Sequence, residues 1–103
     1  MPRRRRWIIR TRRGKRGRPP KPVIINFAPP IRGFTPLPPT NLPPIVLEAA
    51  EIEALRLVDL EKCSFVEAGR RMSISRNTVW RLVENARRKI ITAILEGRPI
   101  VYG

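Results

Sequence analysis

The chain has 103 residues, with 22 Lys and Arg against 8 Asp and Glu, one cysteine, no histidine and a net charge of +14. That length supports one small core, and the charge points to a polyanionic partner, with nucleic acid ahead of an acidic membrane surface. Cys63 has no disulfide partner, the usual zinc sites need histidine, and no apolar run approaches the ~18 residues of a membrane span, which excludes a disulfide framework and argues against metal and membrane roles.

Residues 1–22 hold eleven Lys or Arg and no acid. Self-repelling charge mixed with Gly and Pro predicts a disordered or extended arm, with Trp7-Ile8-Ile9 as its one apolar anchor. Lys15-Arg16-Gly17-Arg18-Pro19-Pro20-Lys21 contains an Arg-Gly-Arg-Pro core like that of an AT-hook. In such a motif the arginines enter the narrow minor groove of A·T-rich DNA and Gly lets the backbone approach closely. A stretch of this composition also produces such tetrapeptides by chance, and plain phosphate attraction is the alternative. Arg3, Arg4, Arg5, Arg6, Arg16, Gly17, Arg18 and Pro19 are therefore assigned to the minor groove or to phosphates.

Residues 23–44 contain seven prolines. They forbid helix and predict an extended, polyproline-like strap, with a short strand at Val23 to Phe27. Phe27, Ile31, Phe34 and Leu37 are its candidate anchors onto a helical domain, and a loose linker is the alternative.

From Leu47 the pattern becomes helical. Leu47, Ala50, Ala54, Leu55 and Val58 recur at helical spacing and predict a first helix of about 13 residues, ending near Leu60 or Glu61. Glu48, Glu51 and Glu53 suit the positive end of its dipole. Ser64 with Glu67 has the spacing of a capping box that opens a second helix, whose apolar positions are Phe65, Ala68 and Met72. Gly69 is small enough for a close helix crossing.

Ser75 is a suitable N-cap for a third helix. Val79, Leu82, Val83, Ala86, Ile90, Ala93 and Ile94 form its stripe, and Gly97-Arg98-Pro99 stops it. About 21 residues span ~31 Å, more than groove reading needs. Ile91 and Leu95 broaden the apolar face of the second half, which predicts packing on the strap or a homodimer through that half. Pro99 to Tyr102 is expected to form a short strand beside Val23 to Phe27.

These elements predict a mainly α fold: a three-helix helix-turn-helix domain at 45–97, preceded by the basic arm at 1–22 and the strap at 23–44, and followed by a tail at 98–103. A helix-turn-helix needs a small residue at the crossing, apolar residues gripping its second helix and polar residues facing outward at the start of that helix. Gly69, then Ala68, Met72, Ile74, Val79 and Leu82, then Ser75, Arg76, Asn77, Thr78, Trp80 and Arg81 fill those positions. Ser73 stands in the turn where many such motifs have glycine, which predicts a strained backbone. Arg76 and Arg81 suit guanine, Asn77 suits adenine, and Ser75 and Thr78 reach base edges or phosphate. For Arg76 and Arg81 the alternative is a solvated face; for Trp80 it is packing. Ser64, Arg70, Arg71, Arg87 and Arg88 are candidate phosphate contacts, and Lys89 is a phosphate clamp or solvated charge.

Glu51 to Glu61 (EIEALRLVDLE), Glu67-Ala68, Met72, Ser75-Arg76 and Thr78-Val79-Trp80-Arg81-Leu82 resemble a small family of predicted prokaryotic DNA-binding proteins. The helix-turn-helix of that family is similar to region four of sigma factors. The resemblance covers residues 45–97 closely, and the arginine-rich start with Trp7 and the Phe27 to Pro36 segment more loosely. Family members often carry cysteines in the N-terminal part; this chain has none there, so no metal or redox role transfers. The resemblance implies sequence-specific binding of double-stranded DNA in transcriptional regulation.

The expected function is thus a DNA-binding regulator, cytoplasmic and nucleoid-associated, with no cofactor. Two alternatives stand beside it: a sequence-tolerant architectural binder of DNA or RNA, and a sigma-like module that contacts RNA polymerase. No enzyme is expected, because there is no histidine or Gly-rich phosphate loop, and the carboxylates Glu48, Glu51, Glu53, Asp59 and Glu61 lie on one helix where solvation or pairing with Arg56 explains them.

Overall fold

The computed structural model describes residues 5–8 and 22–103, and for residues 5–8 the backbone alone. The chain runs β1 (Arg5–Ile8), β2 (Pro22–Ile25), β3 (Gly33–Phe34), β4 (Ile45–Leu47), α1 (Ala49–Leu55), α2 (Phe65–Met72), α3 (Arg76–Glu96) and β5 (Ile100–Tyr102). Three helices with small sheets make a mainly α fold, and no described helix is long and apolar enough to cross a membrane.

Local chemistry sets the helix ends. The Ser64 hydroxyl accepts from the Glu67 N–H at 3.0 Å and opens α2; Ser75 does the same for the Thr78 N–H at 3.1 Å and opens α3. Gly97, at φ 69°, adopts the left-handed conformation that stops α3. The first helix reaches Leu60 as expected but widens after Leu55. Over Arg56–Leu60 it is π-helical, and the Glu61 N–H donates to the Arg56 carbonyl at 3.0 Å.

Its start differs from the expectation. Leu47 belongs to β4, not to α1, because Ile45, Val46 and Leu47 alternate buried, exposed, buried and pair in parallel with Ile100, Val101 and Tyr102. The strand pattern overrides a helical spacing that Leu47 also happened to satisfy. Since β4 and β5 are parallel, the whole three-helix unit is the crossover connecting them. Strand β5 is central, with antiparallel β3 on its other side.

The tail therefore forms the expected strand with different partners: β3 and β4, not the Val23 segment. That segment, as β2, pairs antiparallel with β1, Trp7 opposite Val23. Part of the basic arm, Arg5–Ile8, is thus a paired strand; Arg3, Arg4, Arg16, Gly17, Arg18 and Pro19 lie outside the described residues.

The core joins Val23 and Ile25 of β2 to Ala50, Ala54, Leu57, Ala68, Met72, Val79 and Val83. Side chains such as Leu57 and Met72 contribute roughly 1.5–3 kcal/mol each on full burial. The strap is anchored, but not by the expected residues. Phe27, Ile31, Phe34 and Leu37 are all exposed, and Val23 and Ile25 carry the contact instead. Val23 and Ile25 pack against α1 and α2 because β2 presents alternate residues inward. Phe27 lies under the Arg56 guanidinium, 5.6 Å from its ring centre.

Candidate nucleic-acid interface

Helices α2 and α3 meet through a three-residue turn. Ser73 sits at φ 61°, ψ 42°, the left-handed conformation that a side chain disfavours, as its position in the turn predicted. The Ile74 N–H then donates back to the Gly69 carbonyl at 2.9 Å, closing the end of α2. A β carbon on residue 69 would lie 2.6 Å from the Ile74 carbonyl oxygen, so glycine there is what lets the turn fold onto the helix. On the inside, Ala68, Met72, Val79 and Val83 are buried.

What the turn leaves outside is the start of α3. Arg76, Asn77 and Arg81 are exposed, and Trp80 is 51 % exposed. At about 100° per residue Asn77, Trp80 and Arg81 share one side of the helix with Arg76 at its edge. Arg76 and Arg81 have no ion-pair partner among the described residues. Ser75 and Thr78 are otherwise engaged: their hydroxyls lie 2.9 Å apart, and Ser75 holds the helix cap. Their first role is to build the start of α3.

The phosphate candidates divide. Arg70 and Arg71 both reach Glu67, at 2.8 and 3.3 Å, and Ser64 caps α2. Arg87 is held by Asp59 at 2.6 Å, a hydrogen bond that raises its pKa above the ordinary arginine value. The π-helical turn carries Asp59 to this position. Arg88 is exposed, has no acidic partner among the described residues, and stands two turns beyond Arg81 on the same side of α3.

Two polar networks tie the elements together, and of these only pairing with Arg56 was expected from the sequence. The Lys89 ammonium donates to buried Glu51 at 2.8 Å and to the Val46 carbonyl at 2.8 Å, while Glu51 also accepts from the Glu48 N–H at 3.0 Å. Lys89 is therefore a brace between α3, α1 and β4, not a phosphate clamp or solvated charge. Likewise Glu53, buried, accepts from Arg56 at 2.9 and 3.2 Å and from the Asn26 N–H at 3.2 Å. This hydrogen bonding raises the Arg56 pKa, with partial burial opposing it. Spacing of three hinted at the Glu53–Arg56 pair; nothing local marked Glu51 with Lys89, which are 38 residues apart.

A second surface lies at the other end of α3. An apolar groove of about 720 Å³ runs between the strap and the helix, with Phe34, Leu37, Leu47, Ile90 and Ile94 among its walls.

Residues 8–103 match the family described as "Protein of unknown function DUF134". A UPF0251 protein of Archaeoglobus fulgidus is 45% identical over 95 residues, covering 91% of this chain and 90% of the relative. A UPF0251 protein of Pyrococcus horikoshii is 47% identical over 81 residues, 76% of this chain and 74% of the relative. One from Vibrio vulnificus is 41% identical over 85 residues, 81% of this chain and 85% of the relative. No solved structure matches.

Proposed function

We propose that this chain, which belongs to the DUF134 family, is a sequence-specific DNA-binding protein acting in transcriptional regulation. In this reading α2, the left-handed turn and α3 are a helix-turn-helix similar to region four of sigma factors. The first turns of α3 lie in the major groove, and the arm follows phosphates or an adjacent minor groove.

One observation carries the reading. On α2 and α3 together, Arg70, Arg71, Arg87 and Lys89 all have carboxylate partners, whereas Arg76 and Arg81, beside exposed Asn77, and Arg88 two turns on along the same side, have none among the described residues. Exposed cations left unneutralised at a helix start, where backbone N–H groups also point outward, fit a polyanion. Arginine offers two parallel donors to guanine, and the asparagine amide matches adenine; each such pair discriminates by about 1–3 kcal/mol. The eleven basic residues of 1–22 then supply the sequence-independent, salt-sensitive part of the affinity.

In-vitro selection followed by competition against random DNA tests this. A preference of ~10³ or more for the selected site is expected, and one under about 10-fold would overturn it. The low-preference result is what a sequence-tolerant architectural binder gives, a second reading that the arm's charge favours.

A further inference from the structure

Ile90, Ile91, Ile94 and Leu95 make the last two turns of α3 apolar well beyond its buried edge. At about 100° per residue they cover an arc of roughly 140°. Ile91, Ile94 and Leu95 are 49, 66 and 78 % exposed, and Phe34 and Leu37 of the strap, across the groove, are 61 and 91 % exposed. At about 180 Å² for a large apolar side chain, these fractions leave on the order of 600 Å² open to water. That is at the top of the ~300–600 Å² expected of the largest patch on a monomer, and matches one partner's share of a ~1,200 Å² specific interface.

The shape selects the occupant, and the charge permits it. The face carries a groove and, beside it, projecting Leu37 and Leu95, so it holds both halves of a knob-and-groove contact. Eleven of the 22 basic residues and none of the 8 acids lie in 1–22, so residues 23–103 carry only +3 and repel a second copy weakly. At this face Arg98 is held by Glu96 at 3.1 Å and by the Pro43 carbonyl at 2.9 Å, Lys89 by Glu51 and Arg87 by Asp59, while Arg88, exposed and without an acidic partner among the described residues, borders it on the side of Leu95. We propose that this face is a two-fold interface with a second copy of the chain.

Such a dimer fits the DNA reading, on which this one geometric point rests. From Ala93 to Asn77 is about 24 Å along the helix, so a crossing near Ala93 sets the two reading ends up to ~48 Å apart. One turn of DNA, ~34 Å, falls inside that range.

Sedimentation equilibrium of the full chain without DNA, at tens of micromolar, should give twice the 11.9 kDa of one chain. Leu95→Lys and, separately, Leu37→Lys should weaken association by ~100-fold or more, because a two-fold axis applies each new charge twice. Both sites are exposed, and an unchanged circular dichroism spectrum confirms that each variant is folded. A monomeric wild-type chain overturns the proposal, and so do folded Lys variants that remain fully dimeric. Site selectivity, measured separately, distinguishes the two ideas: a dimer without selectivity overturns the DNA reading alone, and a selective monomer overturns the interface alone.

Discussion

Over its first turns α3 shows water Arg76, Asn77, Trp80 and Arg81; over its last two it shows Ile91, Ile94 and Leu95. The inner faces differ as well. Val79, Val83 and Ala86 are fully covered, whereas near the C-terminal end Ala93 is buried and Ile90 only half-buried. Where the inner face is complete, stability makes no demand on the outer one, which can carry cations and an amide. Where the outer face is apolar instead, the fold leaves a surface that water disfavours. One helix thus offers two chemistries, suited to two kinds of partner.

The largest test of this contrast is energetic. Met72→Ala, beneath the polar end, should cost about 2–5 kcal/mol in urea unfolding, while Leu95→Ala, at concentrations where the chain is monomeric, should stay within about 0.5 kcal/mol. Equal costs would erase the difference between the two ends. Next comes Arg81→Ala, with an expected loss of about 1–3 kcal/mol on the selected duplex and less on random DNA, read by titration. Equal losses on both would make the polar end a phosphate contact only. Ser75→Ala should lower stability by about 1 kcal/mol through loss of the cap, and a fall in DNA affinity with stability unchanged would show the hydroxyl acting on DNA instead. The smallest change runs the other way: Ser73→Gly should raise stability by about 0.5–1 kcal/mol by relieving the left-handed turn, without altering selectivity.

The helix ends were legible because their signals are local. Ser64, Ser75 and Gly97 act on residues within four positions, and each sits where spacing placed it. Strand pairing is non-local, so β5 was readable as a strand but its neighbours were not. Leu47 satisfied two periodicities, and the one with a partner strand prevailed. The strap misled through position: Phe27, Phe34 and Leu37 looked like anchors, but Val23 and Ile25 lie on the inward face of β2 and take that role. Within the candidate interface, Arg76, Asn77 and Arg81 emerge exposed as expected. The withdrawal of Lys89 into a brace, and the pairing of Arg87, depended on acids brought close by folding.

The brace at Lys89 also bears on how the two ends of α3 communicate. The helix contains neither Gly nor Pro between Arg76 and Glu96, so it has no internal hinge. Lys89 fastens it to α1 and β4 between its polar and apolar ends. Such a rod can transmit a change in tilt but cannot absorb one. The angle at which Asn77 and Arg81 are presented is therefore fixed by the packing of α3 on α1 and α2, and a partner at the apolar end would shift it only by moving the whole domain.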